Sequence, residues 1–454
     1  MTRSRSSQTA SVIRRPPLAA GVPLVGSAFA LGRDTRAFFY DQYRRLGPIF
    51  RLRAFHKSFT VLAGPEATLF VTRHGGKHLR SDEVWRGMDY ELGAQRSLIS
   101  MDGPDHARMR AVQKSGYQRA VIEQHLDQVV ALVEQAVYAW PHGAAVPAHR
   151  ALQHMVTDQL GRLIAGVAPD GYIDDLISFV RTTLVTHVTQ QRPPFLRWTP
   201  GFRRAKARVH ALGQQVLQAH ADRAGAVWPS SLIDDLIALS REDPAFLPSS
   251  DLVIGALGPF IAGLDTVAST ASFVLYVLLT QPTLHEQVVA EVDQLFTAGP
   301  LTAARLKHLD VLHRTILETL RMYPIAPAIT RTVDTPFEFG NYTVGRGEQV
   351  IISTTVAHSM PEFYPHPERF DIDRYLPERN EHRKPGAFAP FGAGAHVCLG
   401  AGFAEVHLMV LVAALLHVAQ VTMDPRDYRL RIDPAPTPHP DQNFRIRVTP
   451  RTQN

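Results

Sequence analysis

Cys398 is the only cysteine among 454 residues, and it stands in a glycine-rich stretch, FAPFGAGAHVCLGAGFAE, at 388–405. A lone cysteine cannot close an intramolecular disulfide, so it is a small buried hydrophobe, a free thiol, a nucleophile or a metal ligand. Glycines let backbone N–H groups approach the sulfur, and a helix starting just after it adds donors and a favourable dipole. Both effects favour thiolate over thiol and predict a lowered cysteine pKa. Phe391 offers a flat apolar plate and Gly400 a close approach behind the sulfur. Such a loop suits a soft anionic ligand held against a flat metal cofactor. A dinucleotide site is a poor match, because Val397 stands where G-x-G-x-x-G needs its third glycine. The G-x-S-x-G and H-E-x-x-H hydrolase patterns are absent.

The elements that must position this loop are mostly helical. Residues 47–72 alternate around glycines and predict a small strand region. From about 103 to 320 the apolar periodicity is helical, with breaks at RPPFLRWTPG and AVWPSS. FEFGNYTVGRGEQVIIST predicts a hairpin, and a last helix is expected near 400–418. The fold class is mainly α with a minor β region (α+β), and no repeat or linker divides it. Residues 1–33 contain no acid and are expected to be a mobile, basic, proline-rich segment ahead of one domain at 34–454. The alternative for that segment is a secretory signal; Pro16, Pro17 and Pro23 interrupt its apolar run.

The run Leu252–Thr280 has 29 residues and one charge, the length of a membrane span. Asp265 near its middle, the polar DTVASTAS and the lack of close Lys or Arg flanks favour a buried central helix instead. Overall, 48 basic against 42 acidic residues give +6, too mild for a nucleic-acid protein but suited to docking an acidic partner.

Phe391, Gly394, His396, Cys398 and Gly400 match F-x-x-G-x-(R/H)-x-C-x-G, and here the chain resembles the cytochrome P450 family over about 35–450. ETLR supplies Glu318 and Arg321, and PERF supplies Arg369, similar to the family's Glu-Arg-Arg triad. AGLDT at 262–266 is similar to its oxygen-activation motif, and HARMR supplies His106 and Arg110. On their own, an i,i+3 Glu–Arg pair is often weak surface decoration and His106–Arg110 a solvated basic face. A Thr hydroxyl in a buried helix usually bonds the i−4 carbonyl, but a carboxylate in apolar surroundings needs a partner or a purpose.

The resemblance implies a single-domain fold with a long central helix over haem b, and Cys398 as axial ligand of its iron. His106, Arg110, Arg331 and His396 would face the propionates, with Ala262 over the macrocycle. Thr266 would hydrogen-bond dioxygen and Asp265 would relay protons. Phe260, Ala262, Ala326, Ala328 and Ile329 would line an apolar pocket, with 84–99 and RPPFLRWTPGF as access elements. The expected reaction inserts one oxygen atom of O2 into a lipophilic molecule such as a terpenoid, steroid or fatty acid. Electrons would come from NAD(P)H through a reductase and an acidic ferredoxin or flavodoxin, docked near Arg108, Lys114 and Arg119. A cytoplasmic monomer without a transmembrane anchor is expected. The rival readings are a peroxide-driven peroxygenase, another thiolate–haem enzyme, and a non-catalytic haem binder or gas sensor.

Overall fold

The computed structural model describes residues 15–141, 143–223 and 227–451. The helices that frame the site are α1 (Gly64–His78), α2 (Gly103–Gln113), α3 (Ala148–Leu160), α4 (Leu252–Gly263), α5 (Thr266–Thr280), α6 (Asp310–Met322) and α7 (Ala401–Val418). The larger sheet contains β1 (Ile49–Ala54), β2 (Lys57–Ala63), β3 (Leu79–Arg80), β4 (Ile329–Val333) and β5 (Gln349–Ser353), in the order β1-β2-β5-β4-β3. Only the β2–β5 pair is parallel. A second sheet orders Ala145–Pro147, Arg445–Pro450 and Ala419–Asp424. The expected hairpin forms between Phe337–Phe339 and Tyr342–Val344, turning at Gly340 with φ +59°.

The run 252–280 is one apolar stretch in sequence but two helices in space. Pro259 removes an amide donor inside α4, and Leu264 and Asp265 separate α4 from α5. Thr266 Oγ1 donates to the Ala262 carbonyl at 2.8 Å, a back-bond of the kind that bends helices. Val253, Leu257, Phe260, Ala271, Val274 and Leu278 are all buried. This run and α7 are long and apolar enough to cross a membrane, yet most of each is covered by the rest of the protein. A helix apolar on every side belongs in such a core.

Two expectations need correction. Within 47–72 the strands end at Ala63, and Gly64 opens α1. Pro65 in the first turn and Glu66 beside it are good helix starters. Residues 1–14 of the N-terminal segment lie outside the described residues, but 15–33 are tied down rather than mobile. Arg51 donates from its backbone N to the Pro17 carbonyl at 2.7 Å and from Nε to the Pro16 carbonyl at 3.0 Å. Ala19 N donates to the Arg51 carbonyl at 2.8 Å, and Ser27 N to that of Arg53 at 2.7 Å. Prolines are tolerated at such an edge because the contacts use their carbonyls, not the N–H they lack.

Candidate active site

The Cys398 loop is built by glycines that cannot be replaced cheaply. Gly392 and Gly394 have φ of +80° and +74°. A Cβ on Gly394 would lie 2.5 Å from the Val71 carbonyl oxygen of α1. Cys398 N donates to the Phe391 carbonyl at 3.0 Å, closing the loop, and Gly400 caps α7. The thiol is exposed. Its pKa is nevertheless raised, the reverse of the expected direction: burial among protein atoms outweighs the Gly400 N–H and the Arg110 charge, which both lower it. The predicted donors are present, but by themselves they do not make a thiolate.

Around this loop lies a positively charged rim. His106, buried on α2, stacks on His396 with ring centroids 4.0 Å apart, and Arg110 follows one turn later. His396 Nε2 lies 3.0 Å from Asp102 Oδ1 and 3.3 Å from Ser81 Oγ, while Ser81 N donates to Asp102 Oδ2 at 2.7 Å. Burial, with His396 and Arg110 nearby, pushes the His106 pKa down to about 4, so the ring is neutral. Arg331 on β4 is only 9% exposed, and among the described residues its guanidinium makes one hydrogen bond, from Nη1 to the Thr330 carbonyl at 2.8 Å. Burial lowers its pKa to about 10 against the pull of Asp102. A buried guanidinium without a carboxylate in contact calls for an anionic ligand. Asp102 and Ser81 escaped the sequence reading, since their roles depend on approaches across about 300 residues.

The opposite wall is the bend between α4 and α5. Between Leu252 and Leu279 only Ala262 and Thr266 are exposed, one turn apart on one face. Asp265 points the other way into the core, where Gln153 Nε2 donates to its Oδ1. Burial raises the Asp265 pKa. Tyr117 links the two walls: its ring would lie 3.7 Å from a Cβ on Gly400 and its hydroxyl 3.4 Å from one on Gly258. Of the expected pocket residues, Ala326 is exposed and Ala328 and Ile329 are half-buried. Phe260 is a correction: it is fully buried in the helical core and touches no open space. Gly263 packs against α3 rather than facing the site: a Cβ there would meet Leu160 Cδ1 at 2.6 Å.

Behind the loop sits a buried ionic lock. Arg321 donates to Glu318 through Nε at 2.8 Å and Nη2 at 2.7 Å, with both side chains fully buried. The third member is Arg374, not Arg369. Arg374 Nε donates to Glu318 Oε1 at 3.2 Å and its Nη1 to Glu381 Oε2 at 2.9 Å. The Arg369 side chain is exposed, and only its carbonyl takes part, accepting from Arg321 at 3.2 Å and Arg374 at 3.3 Å. Two Arg–aromatic pairs, Arg369–Phe370 and Arg374–Tyr375, compete in sequence. The turn Ile372–Tyr375 decides between them by bringing Tyr375 Oη to Glu318 Oε2 at 3.0 Å as well. His358 joins lock to loop, donating from Nδ1 to the Arg321 carbonyl at 3.3 Å and accepting from Ala389 N at 3.1 Å.

The residues fit an iron macrocycle bearing two carboxylates. One thiol can take the metal, Ala262 and Thr266 leave one face open, and Arg331 and Arg110 carry uncompensated positive charge at the rim. A family model described as Cytochrome P450 matches residues 16–444. Lanosterol 14-alpha demethylase of Bos taurus is 24% identical over 411 residues, 89% of this chain and 81% of that protein. Cytochrome P450 139 of Mycobacterium tuberculosis is 26% identical over 398 residues, 86% of this chain and 92% of that one. Among solved structures, retinoic acid-bound cyanobacterial CYP120A1 has a TM-score of 0.82 at 22% identity, covering 97% of this chain and 100% of that chain. The cytochrome P450DA heme domain also scores 0.82, at 21% identity, covering 97% and 98%. At those identities the structures establish the fold, and the family match, which spans nearly the whole length, establishes the rest: this chain belongs to the cytochrome P450 family of haem-dependent monooxygenases.

Proposed function

We propose that Cys398 is the thiolate ligand of haem b, and that the enzyme inserts one oxygen atom of O2 into a bulky lipophilic molecule of terpenoid, steroid or fatty-acid-like character. Bound haem supplies the oxygen activation, favoured by electron density from a thiolate. The protein supplies the rest. Cys398 would hold the iron as a thiolate, and the Gly400 N–H and Arg110 would stabilise that charge against the burial that otherwise raises the thiol's pKa. Arg110, Arg331, His106 and His396 hold the two propionates. Thr266 presents its hydroxyl to the open face, and Asp265, one residue away, would pass protons toward it; burial raises the Asp265 pKa. Small side chains at Ala262 and Ala326 leave room for a large substrate. The names of two relatives, a lanosterol demethylase and a retinoic acid-bound protein, support that class.

Electrons are proposed to arrive from NAD(P)H through an acidic ferredoxin or flavodoxin, docked on a monomer around Lys114, with Arg119, 59% exposed beside its Glu123 partner at 3.4 Å, at the edge of the patch. Arg108 is not free for that purpose, since it pairs with Asp243 at 2.7 Å and covers the Phe246 ring.

The observation that carries this reading is a lone exposed thiol at the start of α7, linked through Tyr117 to a central helix open only at Ala262 and Thr266. The test is the spectrum of the reduced protein with carbon monoxide. A strongly red-shifted Soret band, lost in Cys398→His, is expected. An ordinary histidine-type spectrum in the unaltered protein would overturn the assignment.

A further inference from the structure

Asp265 is served from behind by side chains that the reading above leaves without a role. Gln153 and His149 stand one turn apart on α3, and Asp265 and Ser269 one turn apart along the bend and α5. The two pairs meet as rungs. Gln153 Nε2 donates to Asp265 Oδ1, and His149 Nε2 lies 3.2 Å from Ser269 Oγ. His149 then stacks on His439, with ring centroids 4.0 Å apart and planes at 21°. His439 continues outward: its Nδ1 lies 2.8 Å from the Thr437 carbonyl and its Nε2 3.9 Å from Asp433. Asp433 and its partner Arg181, 3.4 Å away, are 35% and 49% exposed, so the ladder ends at solvent.

A carboxylate inside an apolar core is normally neutralised or paired with a cation. Here, among the described residues, its only direct side-chain partner is an amide, which fixes Oδ1 and makes no contact with Oδ2. The nearest titratable rings along the ladder are histidines, groups that accept a proton on one nitrogen and release one from the other. Burial holds His149 well below the usual imidazole range, with His439, Arg181 and Arg150 adding to the effect, so a proton that reaches the ring is passed on rather than kept.

We propose that Gln153 positions Asp265, and that His149, half-buried and bonded to Ser269, is the group through which protons from solvent reach it, with His439 holding its ring by stacking. The inference rests on the reading of Asp265 as the proton relay of the site. Ser269 Oγ and the Asp265 carboxyl stand one helical turn apart, and the transfer between them would use one bridging water. Each proton arriving at the carboxylate neutralises it and leaves toward Thr266. One taken from water at His149 replaces it, and no electron or heavy atom moves.

The experiment uses the haem-loaded protein and His149→Gly, His149→Gln and Gln153→Leu, each first required to show the wild-type carbon monoxide band. With O2 and a reductase, His149→Gly is expected to lower the fraction of consumed O2 that appears as product by about tenfold, with the remainder released as hydrogen peroxide. Turnover driven by hydrogen peroxide, which carries its own protons, should change less than twofold. His149→Gln keeps a hydrogen bond to Ser269 without a titrating ring and should behave like His149→Gly; it also serves if the glycine variant does not fold. Independently of turnover, the infrared carboxyl band that disappears in Asp265→Asn should shift in Gln153→Leu. Unchanged coupling in both His149 variants, or an unmoved Asp265 band in Gln153→Leu, would overturn the corresponding role while leaving the haem assignment intact. A wild-type protein lacking the thiolate–carbon monoxide band would overturn both.

Discussion

Arg374 and Glu318 are both fully buried, with Nε of the first donating to Oε1 of the second at 3.2 Å. Glu318 also accepts from Arg321, Tyr375 and the Asp371 backbone, so one carboxylate joins α6 to the turn at 371–375. Breaking a buried pair by removing one partner leaves an uncompensated charge and costs about 3–5 kcal/mol. Glu318→Ala and Arg374→Ala are each expected to destabilise the protein by that amount in denaturant unfolding. Arg369→Ala, which removes an exposed side chain and keeps the useful carbonyl, should stay within about 0.5 kcal/mol of wild type. Equal losses at 369 and 374 would reverse the assignment.

Arg331 gives a prediction with two signs. Its guanidinium is buried without a carboxylate in contact, a cost that an anionic ligand would relieve. Arg331→Met should therefore stabilise the haem-free protein, by about 1–3 kcal/mol, while weakening haem retention. Thermal unfolding of the haem-free form and haem transfer to an apo-globin acceptor read the two effects separately. Destabilisation of the haem-free form would show that Arg331 is satisfied by the protein alone.

What the chain reveals without coordinates follows the range of the interactions. The Cys398 loop, the Glu318–Arg321 spacing and the Asp265–Thr266 pair lie within a few residues of their partners and are readable as patterns. Arg374 over Arg369 is not, because choosing between two arginines five residues apart requires knowing which reaches Glu318. The same holds for Gln153, Asp102 and Tyr117, whose partners are 112, 294 and more than 140 residues distant. Phe260 was misplaced because an all-apolar helix carries no amphipathic stripe to say which face is open. The bend at Leu264–Asp265 leaves only Ala262 and Thr266 exposed, a result of tertiary packing rather than of composition.

Buried histidines set the acid response. His358 and His407 are fully buried, and burial holds their pKa values at about 3 and about 4. In the unfolded chain each titrates near ~6.5. Below that value the unfolded state takes up protons the folded state refuses, so stability is full above ~6.5 and falls as pH drops toward the folded values. Each group removes up to about 1.4 kcal/mol per pH unit in that window. Carboxyls raised by burial, such as Asp265 and Glu405, act with the opposite sign, so the histidine effect is isolated by comparing variants. Between about pH 6.5 and 5, His407→Met should lose stability less steeply than wild type by about one proton's worth. Parallel slopes would mean that His407 is not held neutral.

Gly394 and Gly263 are both tight, but for different reasons, and alanine should separate them. At Gly263 an added Cβ meets Leu160 Cδ1 at 2.6 Å, the movable end of a side chain. The cost there is that of overpacking, about 1–3 kcal/mol, and shortening the neighbour in Gly263→Ala/Leu160→Val should recover most of it. At Gly394 the Cβ meets the Val71 carbonyl oxygen at 2.5 Å and carbon at 3.1 Å, both backbone, and φ is +74°. Left-handed backbone costs a non-glycine residue about 1–2 kcal/mol before any clash is counted. No side-chain change at 71 can relieve that contact, so the Cys398 loop itself must move. Gly394→Ala is therefore expected to lose the thiolate–carbon monoxide band while Gly263→Ala keeps it. A Gly394→Ala protein with a normal band would show that the loop reaches its working geometry without the close approach to α1.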